Sequence, residues 1–283
     1  MRIIADSGST KTNWHVLHPD GKTESFETIG LNPFIVRTGQ VYKEIKSRFP
    51  KHLKALRVRE IYFYGAGCSA QSQKDKIFAG LERYFPATII HIHHDLLAAA
   101  RALWGKGYGL IAIIGTGSST ALYDGEKVSD QIPSLGYILG DEGSGAYIGK
   151  LLLKAYLENE LPVPLEKKFY KYHHQDLHEI LENIYSRDYP NRFMGEFTHF
   201  IKENIDNSAL EALVRSAFDA FFRKQILKYQ NHNNYKLRCL GSVAYHFQEI
   251  LMASADAHGV ELVEILQDPL PRLIEYHNNY LEI

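Results

Sequence analysis

Apolar positions in the first third of the chain fall in period-two runs or short unbroken blocks, with stretches of helical period between them. Arg2–Ala5 reads as a strand and Asn13–Leu17 as the strand returning from it. Thr23–Ile29 reads as a third, with Asp20-Gly21 as the hairpin turn before it. Beyond this meander the pattern alternates. Gln40–Phe49, Gln73–Tyr84 and Leu96–Trp104 read as helices, while Glu60–Tyr64, Thr88–Ile92 and Leu110–Ile114 read as strands. A meander followed by strands separated by helices predicts a mixed sheet with helices packed on it.

The pattern then restarts. Ile3-Ile4-Ala5 runs into Asp6-Ser7-Gly8-Ser9, and Ala112-Ile113-Ile114 runs into Gly115-Thr116-Gly117-Ser118. Each turn leads to another strand and an Asp-Gly turn, Asp20-Gly21 in the first case and Asp124-Gly125 in the second. Two such hairpins a domain's length apart predict two lobes of like topology. Residues 141–230 are mostly helical, with helical spacing over Lys150–Asn159, Leu165–Tyr172, Leu177–Tyr185, Phe197–Ile205 and Leu210–Lys228. Strands return at Tyr235–Leu240 and Val260–Ile265 around a helix over Ala244–Ser254, and Pro271–Tyr280 reads as a last helix. No low-complexity linker separates the lobes, so the cleft between them is the expected ligand site.

Composition narrows the partners. Of 283 residues, 45% are apolar and 23% charged, which is the balance of a folded protein. Lys and Arg number 32 against 33 Asp and Glu, so no basic field exists to attract nucleic acid. No apolar run approaches the roughly 20 residues that span a bilayer. Neither nucleic acid nor membrane is an expected partner. Met1–Asp6 lacks the apolar stretch of a secretory signal, and the two cysteines, Cys68 and Cys239, cannot form a disulfide framework. A cytoplasmic location is the expectation.

Three glycine-hydroxyl turns follow apolar strands: Asp6–Thr12, Gly115–Ser118 and Gly241-Ser242-Val243-Ala244. Glycines let backbone N–H groups approach an anion closely and hydroxyls add donors, so two such hairpins suit a polyphosphate and the third suits a nucleotide. The spacing is neither G-x-G-x-x-G nor the P-loop pattern. Asp6 suits a cation such as Mg²⁺, which keeps waters and phosphate oxygens, or else bonds the N–H groups of its own turn. Asp95 follows a strand and opens a helix, where it either caps the helix or accepts a proton from a substrate hydroxyl. Gly136–Gly145 is the densest glycine cluster, and its Asp141 and Glu142 either bind sugar-like hydroxyls or cap the next helix. His91 and His93 share one face of a strand, as two metal ligands would, but no matching set follows; a purely structural role is the favoured reading.

With these turns in this order, the chain resembles the sugar kinases of the actin-like ATPase superfamily, and more narrowly the N-acetylglucosamine kinase branch grouped with BadF/BadG-type ATPases. Asp6–Thr12 resembles the first phosphate motif, Gly115–Ser118 the second, Leu240–Ala244 the adenosine motif, and Gly136–Gly145 a hallmark segment of the branch. Ser134-Leu135 stand where the branch often has a tryptophan, and Ser119-Thr120 replace an expected Asn or Cys. The resemblance implies an α/β protein of two ribonuclease-H-like lobes with ATP and sugar in the interlobe cleft. One lobe would hold residues 1–108 plus 267–283, the other residues 109–266. By the same resemblance Asp95 is the base acting on the sugar 6-hydroxyl. Asn32, Ser118, Gly136 and Asp141 bind the sugar; Gly8, Ser9, Thr10, Thr116 and Gly117 bind ATP phosphates; and Gly241 lies along the adenosine. Asp6 holds Mg²⁺ through water. The implied activity is ATP-dependent phosphorylation of N-acetylglucosamine or a close hexosamine by a homodimer. An ATPase activating a partner reductase, or a non-catalytic sugar or nucleotide sensor, is the alternative.

Overall fold

The computed structural model describes residues 1–8, 11–53 and 57–280. Contacts divide the chain into two compact units: Met1–Ala102 with Leu270–Ile283, and Leu103–Pro269.

The first unit is built on strands β1 (Arg2–Ser7), β2 (Lys11–Leu17), β3 (Thr23–Ile29), β4 (Glu60–Gly65) and β5 (Ile89–His94) in the order β3-β2-β1-β4-β5. The first three pair antiparallel, while β4 and β5 add in parallel. Parallel neighbours need a crossover, which helices α1 (Thr38–Arg48) and α2 (Gln71–Glu82) supply. The period-two alternation of the strands decides what packs where. Ile3, Ala5, Ile61 and Phe63 point to one face with Val41, Ile45, Ile77 and Leu81 of the two helices. Ile4, Tyr62 and Tyr64 point to the other, covered by α3 (Asp95–Trp104) through Ala98 and Ala102 and by the last helix through Leu270 and Leu273. Small alanines on α3 let that helix lie close to the sheet. Trp14 stacks on Phe26 at 5.6 Å and donates its indole N–H to Thr28 Oγ1 at 2.9 Å, so its one polar atom is satisfied in the core.

The second unit repeats the plan. Strands β6 (Gly109–Ile114), β7 (Ser118–Tyr123), β8 (Val128–Asp130), β9 (Leu237–Leu240) and β10 (Leu262–Leu266) lie in the order β10-β9-β6-β7-β8, again a meander extended by two parallel strands. Between β8 and β9 the chain inserts α4 (Gly136–Leu139), α5 (Gly145–Leu157), α6 (Val163–His173), α7 (Leu177–Tyr185), α8 (Pro190–Glu196), α9 (Thr198–Glu203) and α10 (Ser208–Lys224). Their phenylalanines, among them Phe169, Phe200, Phe218 and Phe222, form one core with Leu110, Ala112 and Ile114 of the central strand. Helices α11 (Ser242–His246) and α12 (Gln248–Ala257) join β9 to β10, and α13 (Leu270–Tyr280) follows β10 but packs within the first unit.

Several boundaries depart from the sequence pattern. Strand β5 runs two residues beyond the expected Ile92, so helix α3 starts with no intervening loop. The expected helix over Ala244–Ser254 is two helices meeting at Phe247, whose φ of −116° breaks the run. The expected helix to Lys228 ends at Lys224 and continues as a 3₁₀ turn over Ile226–Lys228. No helix among the described residues is long and apolar enough to cross a membrane.

Candidate active site

In the first unit, three segments converge at the carboxyl end of the parallel strands. The β1–β2 hairpin closes with the Gly8 N–H donating to the Lys11 carbonyl at 3.0 Å. Ser9 and Thr10 lie outside the described residues. Asp6, on β1, stands in register between Asn13 and Tyr64 and is partly exposed. Ser7 organises the corner. Its buried hydroxyl meets Thr12 Oγ1 at 2.7 Å and accepts the Leu31 N–H at 3.1 Å, while its carbonyl accepts the Ala66 N–H at 2.8 Å. One hydroxyl thus ties the hairpin to the Gly30–Pro33 segment, and the Ser7 backbone ties it to the β4 exit.

That segment carries Asn32, whose side-chain carbonyl accepts the Phe34 N–H at 3.0 Å and whose main-chain carbonyl accepts two further N–H groups. The β4 exit presses against it. Gly67, at φ +79°, would place a Cβ 2.7 Å from Asn32 Oδ1, so no side chain fits there. Cys68 is buried beside it, its thiol pushed up to about 12, first by burial and then by the charge of Asp95. Asp95 is the first residue of α3 and about one-fifth exposed. Its Oδ1 accepts the Leu96 N–H at 2.9 Å and lies 2.8 Å from His94 Nδ1. Asn32, Gly67, Cys68, His94 and Asp95 therefore occupy one end of this sheet.

In the second unit the β6–β7 turn, the glycine-rich segment and the β9–α11 turn interlock. Gly115 N–H donates to the Gly117 carbonyl at 3.0 Å, and the carbonyls of Gly115 and Thr116 accept N–H groups from Gly145 and Ala146 at the start of α5. Asp141, 8% exposed and at φ +55°, folds back on this turn. Its carboxylate accepts the Ser118 N–H and, at 3.3 Å, the Ser134 hydroxyl, while Ser118 Oγ donates to the Glu142 carbonyl at 2.8 Å. Burial nevertheless pushes the Asp141 carboxyl above its ordinary range. Gly241, at φ +124°, lies against Ile114 and Gly115. Thr116, Gly117, Ser118, Asp141 and Gly241 are thus brought together. Gly136, at φ +72°, opens α4 with empty space where a Cβ would be, so its glycine answers to backbone conformation alone.

Ser7, Ser134, Gly67 and His94 were not assigned a part in the site by sequence. Ser7 appeared only inside the first glycine-hydroxyl turn, Ser134 only beside the glycine cluster, and His94 only in the His91–Asp95 run. His91 and His93 stack on Tyr62 and Tyr64 at 4.5 and 5.3 Å. Among the described residues no three His, Cys, Asp or Glu side chains gather as a metal cage. A Mg²⁺ bound mainly by waters and phosphate oxygens needs only one carboxylate, and Asp6 at a phosphate-type turn fits that donor set.

A meander extended by two parallel strands, occurring twice and each time opening on a glycine-hydroxyl hairpin, defines an actin-like ATPase fold. No family model and no curated protein matches the chain. Among solved structures, a Porphyromonas gingivalis protein assigned as an N-acetylglucosamine kinase is 37% identical, with 99% of this chain and 100% of that one covered at a TM-score of 0.93. A Chromobacterium violaceum protein of the same assignment is 17% identical over 97% and 98% of the two chains, at 0.71. A ROK family glucokinase from Streptomyces griseus, solved with glucose and AMPPNP, shares the fold at 0.55, with 14% identity over 98% of each chain. The chain belongs to the N-acetylglucosamine kinase-like family of BadF/BadG-type ATPases within the actin-like superfamily.

Proposed function

We propose that the protein is an ATP-dependent sugar kinase that transfers the γ-phosphoryl group to the 6-hydroxyl of N-acetylglucosamine or a closely related hexosamine. The observation that carries this reading is Asp95. A carboxylate placed at the end of β5, partly exposed and with one oxygen anchored, is equipped to take a hydroxyl proton. In the proposed step that proton moves to Asp95. The hydroxyl oxygen forms the new bond to the γ-phosphorus, the bond to the bridging oxygen breaks, and ADP leaves.

Asn32, Ser118, Gly136 and Asp141 hold the sugar in this reading. Gly8, Ser9 and Thr10 of the first turn, with Thr116 and Gly117 of the second, bind the phosphates, and Gly241 lies along the adenosine. Asp6 would hold Mg²⁺ through water; bound there, the ion neutralises phosphate charge. Positioning and charge stabilisation supply the catalysis.

An iron–sulfur activator of a reductase is the poorer fit. Its cluster would need accessible thiolates, and Cys68 and Cys239 are both buried with their thiols pushed upward by that burial. The test is ADP release with Mg-ATP against N-acetylglucosamine, N-acetylmannosamine, N-acetylmuramic acid, glucosamine and glucose. Strong release with one amino sugar supports the proposal. ATP hydrolysis indifferent to every sugar overturns it.

A further inference from the structure

The segment that leads into the glycine cluster is held by a hydroxyl from outside the site. Strand β8 ends at Asp130 and α4 begins at Gly136, and residues 131–135 between them form no regular element. Their main chain bonds at Gln131, to the neighbouring Asp130 carboxylate at 2.8 Å, and at Ile132, whose N–H donates to Tyr229 Oη at 3.0 Å. The second of these bonds reaches another element. Tyr229 follows the 3₁₀ turn Ile226–Lys228 and is buried, and its Oη also meets Thr120 Oγ1 of β7 at 2.9 Å. Thr120, buried as well, donates on to Gln225 Oε1 at 3.4 Å. A hydroxyl has one proton, and Thr120 directs its own to Gln225, so the Tyr229 O–H donates to Thr120. Burial raises the phenol above its ordinary range, which keeps that proton in place.

We propose that Tyr229 is a positioning residue for sugar binding: its hydroxyl fixes Ile132 beside β7 and thereby sets Ser134 and Asp141 against the Ser118 turn. This rests on the reading of Ser118, Gly136 and Asp141 as sugar contacts. The link from Ile132 to Ser134 is short and stiff. Ile132 precedes Pro133, which biases it to extended backbone, and the proline ring locks its own φ. Ser134 comes next, its hydroxyl 3.3 Å from both the Asp141 carboxylate and the Ser118 carbonyl. Thr120 stands two residues beyond Ser118 on β7, so the two side chains share a face of the strand. One strand thus carries both a sugar contact and the residue that receives the Tyr229 proton. Without that hydroxyl the Ile132 N–H loses its partner, and the segment is released at the residue that governs Ser134.

Two measurements test the assignment. The first needs no activity: amide hydrogen exchange in the intact protein. Ile132 should be protected in the parent, and Tyr229→Phe should speed its exchange roughly tenfold while the amides of β6 and β9 keep their protection. Unchanged exchange at Ile132, or a loss spread evenly over β6 and β9, overturns the proposal whether or not the protein is a kinase. The second uses the sugar kinase assay. Tyr229→Phe should raise the sugar KM roughly tenfold and leave the ATP KM and kcat within about twofold. General destabilisation would instead lower the active fraction, and so kcat, without moving either KM. Thr120→Val removes the acceptor of the Tyr229 proton and should raise the sugar KM by less, whereas Thr120→Ser keeps the hydroxyl and should match the parent. Thr120→Val also serves both assays should Tyr229→Phe fail to fold. A fall in kcat alone, equal rises in both KM values, or a Thr120→Ser variant no better than Thr120→Val overturns the positioning role. Absence of sugar phosphorylation in the unmodified protein would remove the kinase reading and with it the sugar's part here, while the exchange result alone decides the tie of Ile132 to Tyr229.

Discussion

Gly241 lies so close to Ile114 that a Cβ built on it would stand 2.4 Å from the Ile114 carbonyl oxygen. The contact is backbone to backbone, so neither side can swing away. The residue also sits at φ +124°, a conformation that side chains rarely adopt. Together these fix the β9–α11 turn onto the β6–β7 turn. Gly241→Ala should cost about 3 kcal/mol of stability and weaken nucleotide binding with it. Gly21 is the control: it has φ +83° but open space around its Cβ position, so Gly21→Ala should cost only about 1 kcal/mol. Denaturant unfolding of both variants, with ATP binding by calorimetry, makes the comparison. Equal costs would mean that strain alone, rather than the close approach, explains Gly241.

Asp95→Asn separates the two readings the sequence left open. Asparagine caps helices about as well as aspartate, so stability should hardly change. A general base is worth roughly 10²–10⁴-fold, so kcat should fall by that amount while ATP binding survives. Sugar phosphorylation by Asp95→Asn at the unmodified rate would reduce the residue to a cap.

Much of this architecture is legible in the chain, because strands and helices announce themselves through period. The meander, the alternation after it and the second hairpin all follow from where Ile3, Ala5, Ala112 and Ile114 stand relative to the glycine turns. What the pattern cannot carry is contact between loops remote in sequence. Nothing local to Ser7 says that its hydroxyl will meet Leu31, nor does Gly67 show that its missing side chain makes room for Asn32. The Ser134–Asp141 bond is hidden for the same reason. His94 was obscured differently: the expected end of β5 at Ile92 left it in a loop, and only the longer strand sets it directly against Asp95.

Asp141 carries an internal conflict that can be read by pH. Burial raises its carboxyl above the unfolded value of 3.8, against the pull of the Ser118 N–H and the Ser134 hydroxyl. A group raised on folding stabilises the fold fully below its unfolded value and loses that contribution as pH rises through the folded value. At pH 7 the charged form is therefore held at a cost, and Asp141→Asn should gain about 1 kcal/mol there while gaining little at pH 4. Its affinity for sugar should fall roughly ten- to hundredfold through loss of a charged hydrogen-bond partner. Thermal unfolding across that range, beside the sugar KM, checks both halves. A variant less stable than the parent at pH 7 would show that the carboxylate's hydrogen bonds outweigh its burial.

His277 works in the opposite sense at the far face of the first sheet. It is fully buried on α13, its Nε2 accepts the Tyr64 hydroxyl at 2.8 Å, and that hydroxyl in turn accepts from Arg101 Nη1 at 2.6 Å. Burial pushes the imidazole down to about 3, helped by the charges of Arg101 and Arg2. His93, stacked on Tyr64, is pushed down to about 4, again chiefly by burial. Histidines lowered on folding stabilise the fold fully above their unfolded value of 6.5 and lose that contribution as pH falls toward the folded values. Stability should therefore decline below pH 6.5 with a slope approaching ~1.4 kcal/mol per pH unit for each of the two. His277→Gln keeps an acceptor for the Tyr64 hydroxyl but cannot titrate. Urea midpoints at pH 7, 6 and 5 should fall less steeply in this variant, by about one proton's share of the slope. Parallel declines would place the acid sensitivity elsewhere in the protein.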